Sequence, residues 1–356
     1  MPRAPRLIKV FTPSFADDGD TNAQNLTAKE VVARLDPERY RVTMFFEQDP
    51  DPRIAARPNT ILWKWRKRAN SASTLLRMLV DVPDVYFFPR EGPLDDSFFL
   101  ARRRLRWHTK VVTYIVSGGL DQVGPRPGQL RNLRQADAAF GNSRYITHLL
   151  NDKLGFLADT IYDGVDRRYY FPAESKKVES TRGLVVLCAG SFRPRKRFDL
   201  VIRQAARWPQ VRFRLAGCGE EEESCRRLAS ELNCKNVEFL GHLGQAGLGD
   251  EMRRADVFLF PSDLEGHPQV LLQATACGLP CVAMKSYQPD AVVDGETGFL
   301  ASDAEDLAQK FDKLVTSDAL RMAMSTAAVR HGALFDWDRV TEQWAQAFEK
   351  VIGVGA

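Results

Sequence analysis

Two α/β domains, each a doubly wound parallel sheet, are the fold class that three observations predict. The chain has 356 residues, 44% of them hydrophobic, enough to bury two cores of ordinary size. Short β-rich apolar runs alternate with longer helix-like segments, the pattern of parallel sheets covered by helices. The runs fall into two series separated by the polar, proline-containing stretch RRYYFPAESKKVESTRG, a linker near 168–183.

Strands of the first series are expected at 7–11, 42–46, 60–64, 85–88, 111–115 and 138–140. The second series is expected at 184–189, 212–216, 237–240, 257–260 and 280–284. Domain limits follow as 1–170 and 171–335, with a C-terminal helix over 336–356 packing near the interdomain region. That last segment places Trp337, Val340, Trp344, Ala347 and Val351 on one helical stripe. The stripe needs a partner surface: the helix either caps the second domain or crosses back to the first.

Charged residues make up 27% of the chain, yet the formal net charge is only +4, which argues against a nucleic-acid binder held by bulk charge. The basic excess gathers at Trp63-Lys64-Trp65-Arg66-Lys67-Arg68 and at Arg102-Arg103-Arg104-Leu105-Arg106-Trp107. The stretch LWKWRKRANSASTLLRMLV mixes tryptophans with cations ahead of an apolar run, as interfacial segments do. Trp63 and Trp65 equally suit a buried strand face. The six cysteines, all in the second half, show no CxxC pair and no zinc-type spacing; they read as reduced thiols, with no metal site. No apolar run reaches the roughly 18 residues of a membrane span, and MPRAPRLIKVF lacks a signal-peptide hydrophobic region. A cytoplasmic protein is expected, with peripheral contact at the inner membrane face through the basic first domain as the alternative to a wholly soluble one.

The first strand runs into TPSFADDGDTNAQN, which has no GxGxxG turn, so hydride chemistry loses its main support. Ligands of this architecture bind at the carboxyl ends of the strands. There, strand 257–260 is followed by Pro261-Ser262-Asp263-Leu264-Glu265-Gly266-His267-Pro268 and then a helix. A helix N-terminus offers unpaired N–H groups to an anionic or hydroxyl-rich ligand over Gly266, His267, Pro268 and Gln269. Gly266 lets the backbone approach closely, and Pro268 suits the first helical turn. Glu265 either points at that ligand or complements the helix dipole.

The segment PSDLEGHPQVLLQATACGLPCVA resembles the signature P-S-x-x-E-G-F-P-x-x-x-L-E-A-x-A-x-G-x-P-V-V-A of the retaining glycosyltransferases of family 4, which have the two-domain GT-B fold. RLAGCGEEEE, with Gly217 and Gly219, is similar to the family's G-x-G-x-E; VEFLGHL, MRRADVFLFPS, VVDGETGFL and YDGVDRRYYFP add to the likeness. It covers about 137–352 well and the first 136 residues loosely.

The resemblance implies two Rossmann-like domains facing across a cleft, the first binding the acceptor and the second a nucleotide sugar. It implies that Glu265 lies near the transferred sugar. Gln273 stands where the family's second acid binds ribose, so an amide replaces a carboxylate. In AGSFRPRKRFDL, Lys196 matches the family's phosphate-binding lysine. Ser191 holds the usual arginine position, leaving Arg193 or Arg195 to reach the phosphates. In the first domain Ile115 or Val116 stands at the place of a family histidine. Gly19 remains of a glycine loop, and the turn at Ser117 and Gly118 either touches ligand or is a plain turn. The strings Asp18-Gly19-Asp20 and Asp49-Pro50-Asp51 are discounted as metal sites, since the fold steadies a diphosphate with basic residues and helix ends. The implied protein is a retaining hexosyltransferase with a UDP- or GDP-sugar donor, no obligatory cofactor, and a glycan, lipid-linked or small-molecule acceptor. The alternatives are a nucleotide-sugar epimerase or hydrolase, and a non-catalytic sugar-nucleotide or glycan-binding module.

Overall fold

A computed structural model describes residues 6–18, 22–65, 70–116, 124–173 and 183–354. The chain divides into two compact units, one of Met1–Asp163 with Trp337–Ala356 and one of Gly164–Asp336.

The first unit is built on seven strands: β1 Ile8–Phe15, β2 Tyr40–Phe46, β3 Thr60–Lys64, β4 Val85–Phe87, β5 Lys110–Ile115, β6 Ala138–Gly141 and β7 Ala158–Thr160. Their order is β3-β2-β1-β4-β5-β6-β7, with every pairing parallel. Successive side chains alternate between faces. Val10, Val85, Phe87 and Val112 enter one buried cluster, while Phe11, Tyr86 and Val111 enter the other. Helices α1 Ala23–Arg34, α2 Pro52–Ala55, α3 Asn70–Val80, α4 Pro93–Leu105, α5 Pro127–Gln135 and α6 Arg144–His148 connect the strands. Residues Ala28, Val31 and Val32 of α1 cover the first face. Met78 of α3 and Leu94, Phe98 and Phe99 of α4 cover the second, joined there by half-buried Trp63 and Trp65. The two tryptophans thus serve packing.

The C-terminal helix Trp337–Ile352 belongs to this first unit. Its stripe Trp337, Val340, Trp344, Ala347 and Phe348 is buried on the α1 face of the sheet. The Trp344 ring lies 4.8 Å from that of Phe87 and 5.0 Å from that of Tyr114.

The second unit has β8 Val185–Ala189, β9 Arg212–Ala216, β10 Val237–Gly241, β11 Val257–Phe260, β12 Cys281–Met284 and β13 Gly298–Ala301, ordered β10-β9-β8-β11-β12-β13 and parallel throughout. Every residue of β8, β11 and β12 is buried, as befits strands with helices on both faces. The helices are α7 Phe198–Arg207, α8 Glu222–Glu231, α9 Gln245–Arg254, α10 Gln269–Ala276, α11 Ala304–Thr316 and α12 Asp318–Gly332.

The expected domain limit at 170 is corrected to 163, and the second unit runs to Asp336. The residues between are packed against that unit. The Val165 N–H donates to the Phe335 carbonyl at 2.6 Å, Arg167 Nη1 to that of Ala276 at 2.9 Å, and Arg253 Nη1 to that of Tyr169 at 2.7 Å. Two strands, β7 and β13, were absent from the sequence-based series. All six cysteines are free thiols.

Candidate functional site

In the second unit the strand order reverses between β8 and β11. Loops leaving the carboxyl ends of these neighbours diverge to opposite sides and leave a crevice between them, the usual ligand position in open α/β sheets. The loop after β8 carries Arg195 and Lys196, and the loop after β11 carries Ser262 and Glu265.

These residues meet. Lys196 Nζ lies 2.5 Å from Glu265 Oε1, and Arg195 Nη1 donates to the same oxygen at 2.7 Å. Ser262 Oγ adds a third bond to it at 2.6 Å. Backbone bonds lock the two loops together: the Asp263 N–H donates to the Arg195 carbonyl at 2.9 Å, and Arg195 Nη1 to that of Leu264 at 2.7 Å. Lys196 is buried, its ammonium 4.8 Å from the centre of the Phe260 ring, a favourable cation–π distance. Burial alone raises the Glu265 carboxyl. The Lys196 charge, with bonds from Lys196, Ser262 and Arg195, outweighs it and holds the group below its ordinary value. Glu265 is therefore an anion at neutral pH.

Pro194–Lys196 is a single 3-10 turn, which explains why neighbours in one basic run part company. Arg195 and Lys196 turn toward Glu265. Arg193, at the N-cap in extended conformation, instead lines a hollow of about 310 Å³ with Glu221, Ser224 and Cys225. Ser191 is exposed. Arg197 ends the turn at φ +51°, a left-handed conformation uncommon for a residue with a side chain, and is held by Asp199 at 3.0 Å.

Gly217 and Gly219 follow β9 and press against the β8 loop. A Cβ on Gly217 would stand 1.9 Å from the Gly190 oxygen, and one on Gly219 2.5 Å from the Phe192 oxygen. Only glycine permits this stacking, which seats the loop that carries Lys196.

Helix α10 opens immediately after the acidic loop. Pro268 is its N-cap, with extended backbone, one position before the first-turn place expected for it; its carbonyl turns back to accept from the Leu271 N–H at 3.0 Å. Gly266 is half-buried and His267 buried, the His267 ring 6.1 Å from Phe335. Gln269 and Gln273 are half-buried on α10. The amide of Gln273 makes no hydrogen bond to another described residue.

Gly19, Ser117 and Gly118 lie outside the described residues. Among the described residues no group of three His, Cys, Asp or Glu side chains is placed to hold a metal ion.

Three residues around the Lys196–Glu265 pair escaped sequence reasoning. Ser262 stands three residues before Glu265 inside the quoted motif, and that S-x-x-E spacing is the signal that points to it. Phe260, the last residue of its strand, had none. Tyr287, in the loop after β12, is fully buried, its hydroxyl without a partner among the described residues; burial first, and then the Glu265 charge, push that hydroxyl well above its ordinary range.

An anion or sugar reaching this crevice meets two cations, a carboxylate fixed in ionised form, a hydroxyl and a helix N-terminus. That set suits a phosphorylated, hydroxyl-rich ligand.

Residues 171–331, most of the second unit, match the family model described as glycosyl transferases group 1. A D-inositol 3-phosphate glycosyltransferase of Mycobacterium bovis (strain BCG / Pasteur 1173P2) is 34% identical over 211 residues, covering 55% of this chain and 44% of that protein. The chain thus spans less than half the length of the curated relatives it matches. Among solved structures, the sucrose-phosphate synthase of Thermosynechococcus elongatus superposes with a TM-score of 0.74 at 19% identity, covering 98% of this chain and all (100%) of that one. Anabaena HepE, solved in complex with UDP, superposes with a TM-score of 0.76 at 17% identity, covering 97% of this chain and 100% of that one. The fold is that of GT-B glycosyltransferases, with two Rossmann-like α/β domains.

Proposed function

We propose that the protein is a retaining glycosyltransferase that moves a hexosyl group from a nucleoside diphosphate sugar, UDP- or GDP-linked, to an acceptor hydroxyl. The observation that carries this reading is the meeting of Lys196, Arg195 and Glu265 at the strand-order reversal of the unit that matches the family.

Breaking the glycosidic bond leaves negative charge on the diphosphate and positive charge on the sugar ring. Lys196 and Arg195 stabilise the first, aided by the N–H groups at the start of α10. Glu265, ionised at neutral pH, is no proton donor. Its role is electrostatic: among the described residues its bonds all go to Oε1, leaving Oε2 to accept from a sugar hydroxyl or to face the oxocarbenium-like carbon. The acceptor hydroxyl attacks the anomeric carbon on the face that the diphosphate leaves, so the configuration is kept, and its proton passes to the departing phosphate oxygen. Gln273, on the same helix, offers the ribose one acceptor and one donor in place of a carboxylate. The first unit supplies the acceptor site.

The test is incubation with UDP-, GDP- and ADP-sugars and a set of acceptors, following release of nucleotide and reading the product anomer by NMR. Turnover with retained configuration is expected. A raised melting temperature with no turnover on any donor would support a binding module instead, and an inverted product would overturn the mechanism.

A further inference from the structure

Helix α3 is apolar on two sides. Thr74, Leu75 and Met78 face inward, with Met78 in the core of the first unit. Ala72, Leu76, Leu79 and Val80 recur at helical spacing on the opposite side. There Leu76 is 63% exposed, Leu79 50% and Val80 91%. Helix α4 packs beside α3 on the same face of the sheet and adds Leu100 and Leu105, 51% and 52% exposed. Large apolar side chains left in water as neighbours mark an interaction surface.

The charge around them has one sign. Arg77, Arg103, Arg104 and Arg106 are exposed, and none forms an ion pair with a described residue; Arg77 lies over the Trp63 ring at 5.1 Å. The exposed acids nearby are already engaged, Asp96 by Arg131 at 2.5 Å and Asp81 by Lys9 and Arg41.

We propose that the outer face of α3 and α4 docks on an anionic phospholipid surface. Leu76, Leu79 and Val80 enter the boundary between headgroups and acyl chains, and the arginines pair with lipid phosphates. A second copy of the chain fits less well. Two-fold packing would set each cluster of unpaired arginines against its own image, whereas anionic headgroups neutralise it. The face lies wholly within the first unit, so this inference stands apart from the donor chemistry. Of the interfacial stretch LWKWRKRANSASTLLRMLV it keeps the apolar run of α3 and drops Trp63 and Trp65, which are committed to the core.

The experiment is co-sedimentation of the full chain with vesicles of phosphatidylcholine alone or mixed with phosphatidylglycerol, at low and high salt. The wild type is expected to bind the mixed vesicles only, and raised salt to weaken binding. Leu76→Ser with Val80→Ser, and separately Arg103→Glu with Arg104→Glu, are each expected to weaken it by about tenfold or more. Their unchanged melting temperatures would certify the fold, as all four side chains are exposed. Equal binding to neutral and anionic vesicles, binding indifferent to both variants, or no binding at all would overturn the proposal. So would a dimer in sedimentation velocity that only Leu76→Ser with Val80→Ser dissociates.

Discussion

Asp95 in the first unit and Glu265 in the second are both shielded carboxylates, yet they titrate in opposite directions. Asp95 lies in the first turn of α4, accepting from the Tyr86 hydroxyl at 2.7 Å and the Gly92 N–H at 3.1 Å. Burial pushes it up to about 6 from an ordinary 3.8, and these neutral donors, with the Arg131 charge acting without a direct bond, offset the effect only in part. Glu265 is half-buried, its side chain 10% exposed, but two cations share its oxygen and take it below 4.5. Depth is common to the two; the partner's charge decides the sign. The first carboxylate behaves as a helix cap kept at an energetic cost, the second as a permanently ionised group held ready for a ligand.

The contrast breaks most visibly at Glu265 itself. Glu265→Gln should lower the transfer rate by at least about 100-fold, the scale of losing a charged stabiliser of the transition state, and should also lower the melting temperature, because it leaves the buried Lys196 ammonium without its carboxylate. An unaltered rate in single-turnover assays would remove Glu265 from the chemistry. Lys196→Met leaves a largely shielded carboxylate short of its nearest cation and should cost about 3 kcal/mol in urea unfolding. Adding Glu265→Gln to it should recover part of that loss, because the orphaned charge goes too.

Their pH dependences should also oppose. Asp95 holds a proton in the folded protein that the unfolded chain has lost, so its contribution falls as pH rises from about 4 to about 6. Asp95→Asn should abolish that decline, worth on the order of 3 kcal/mol, when urea midpoints are compared across the window. Glu265 contributes in the reverse sense: its stabilisation is complete above 4.5 and is lost as pH falls through the lower folded value. The smallest effect is expected at Gln273→Glu, which restores a charge-assisted bond to ribose and should tighten nucleotide binding by about fivefold. Unchanged or weaker binding by calorimetry would show that the amide serves another purpose.

The parts legible in the sequence were those whose physics is local. Runs such as VVLCA and VFLF announce strands buried on both faces, and the stripe from Trp337 to Ala347 announces a helix with one apolar side. Strand β7 reads ADT and is half-exposed at a sheet edge, so it carries no hydrophobic signal. Periodicity gave the face of the last helix but not its neighbour, which depends on the whole topology. Within the site, Lys196 and Glu265 were expected from the family resemblance, and the structure brings them together. The divergence of Arg193 from Arg195 did not, because it depends on one 3-10 turn. The burial of Tyr287 likewise depends on how three loops stack over the sheet.

The central claim is that Lys196 and its neighbours hold a diphosphate. Calorimetric titration of the wild type and Lys196→Met with UDP and GDP, each compared with its nucleoside, isolates the phosphate contribution. The account predicts that the phosphates strengthen binding of at least one nucleotide to the wild type and that Lys196→Met loses about tenfold or more of that gain. A phosphate gain of the same size in both proteins would contradict it.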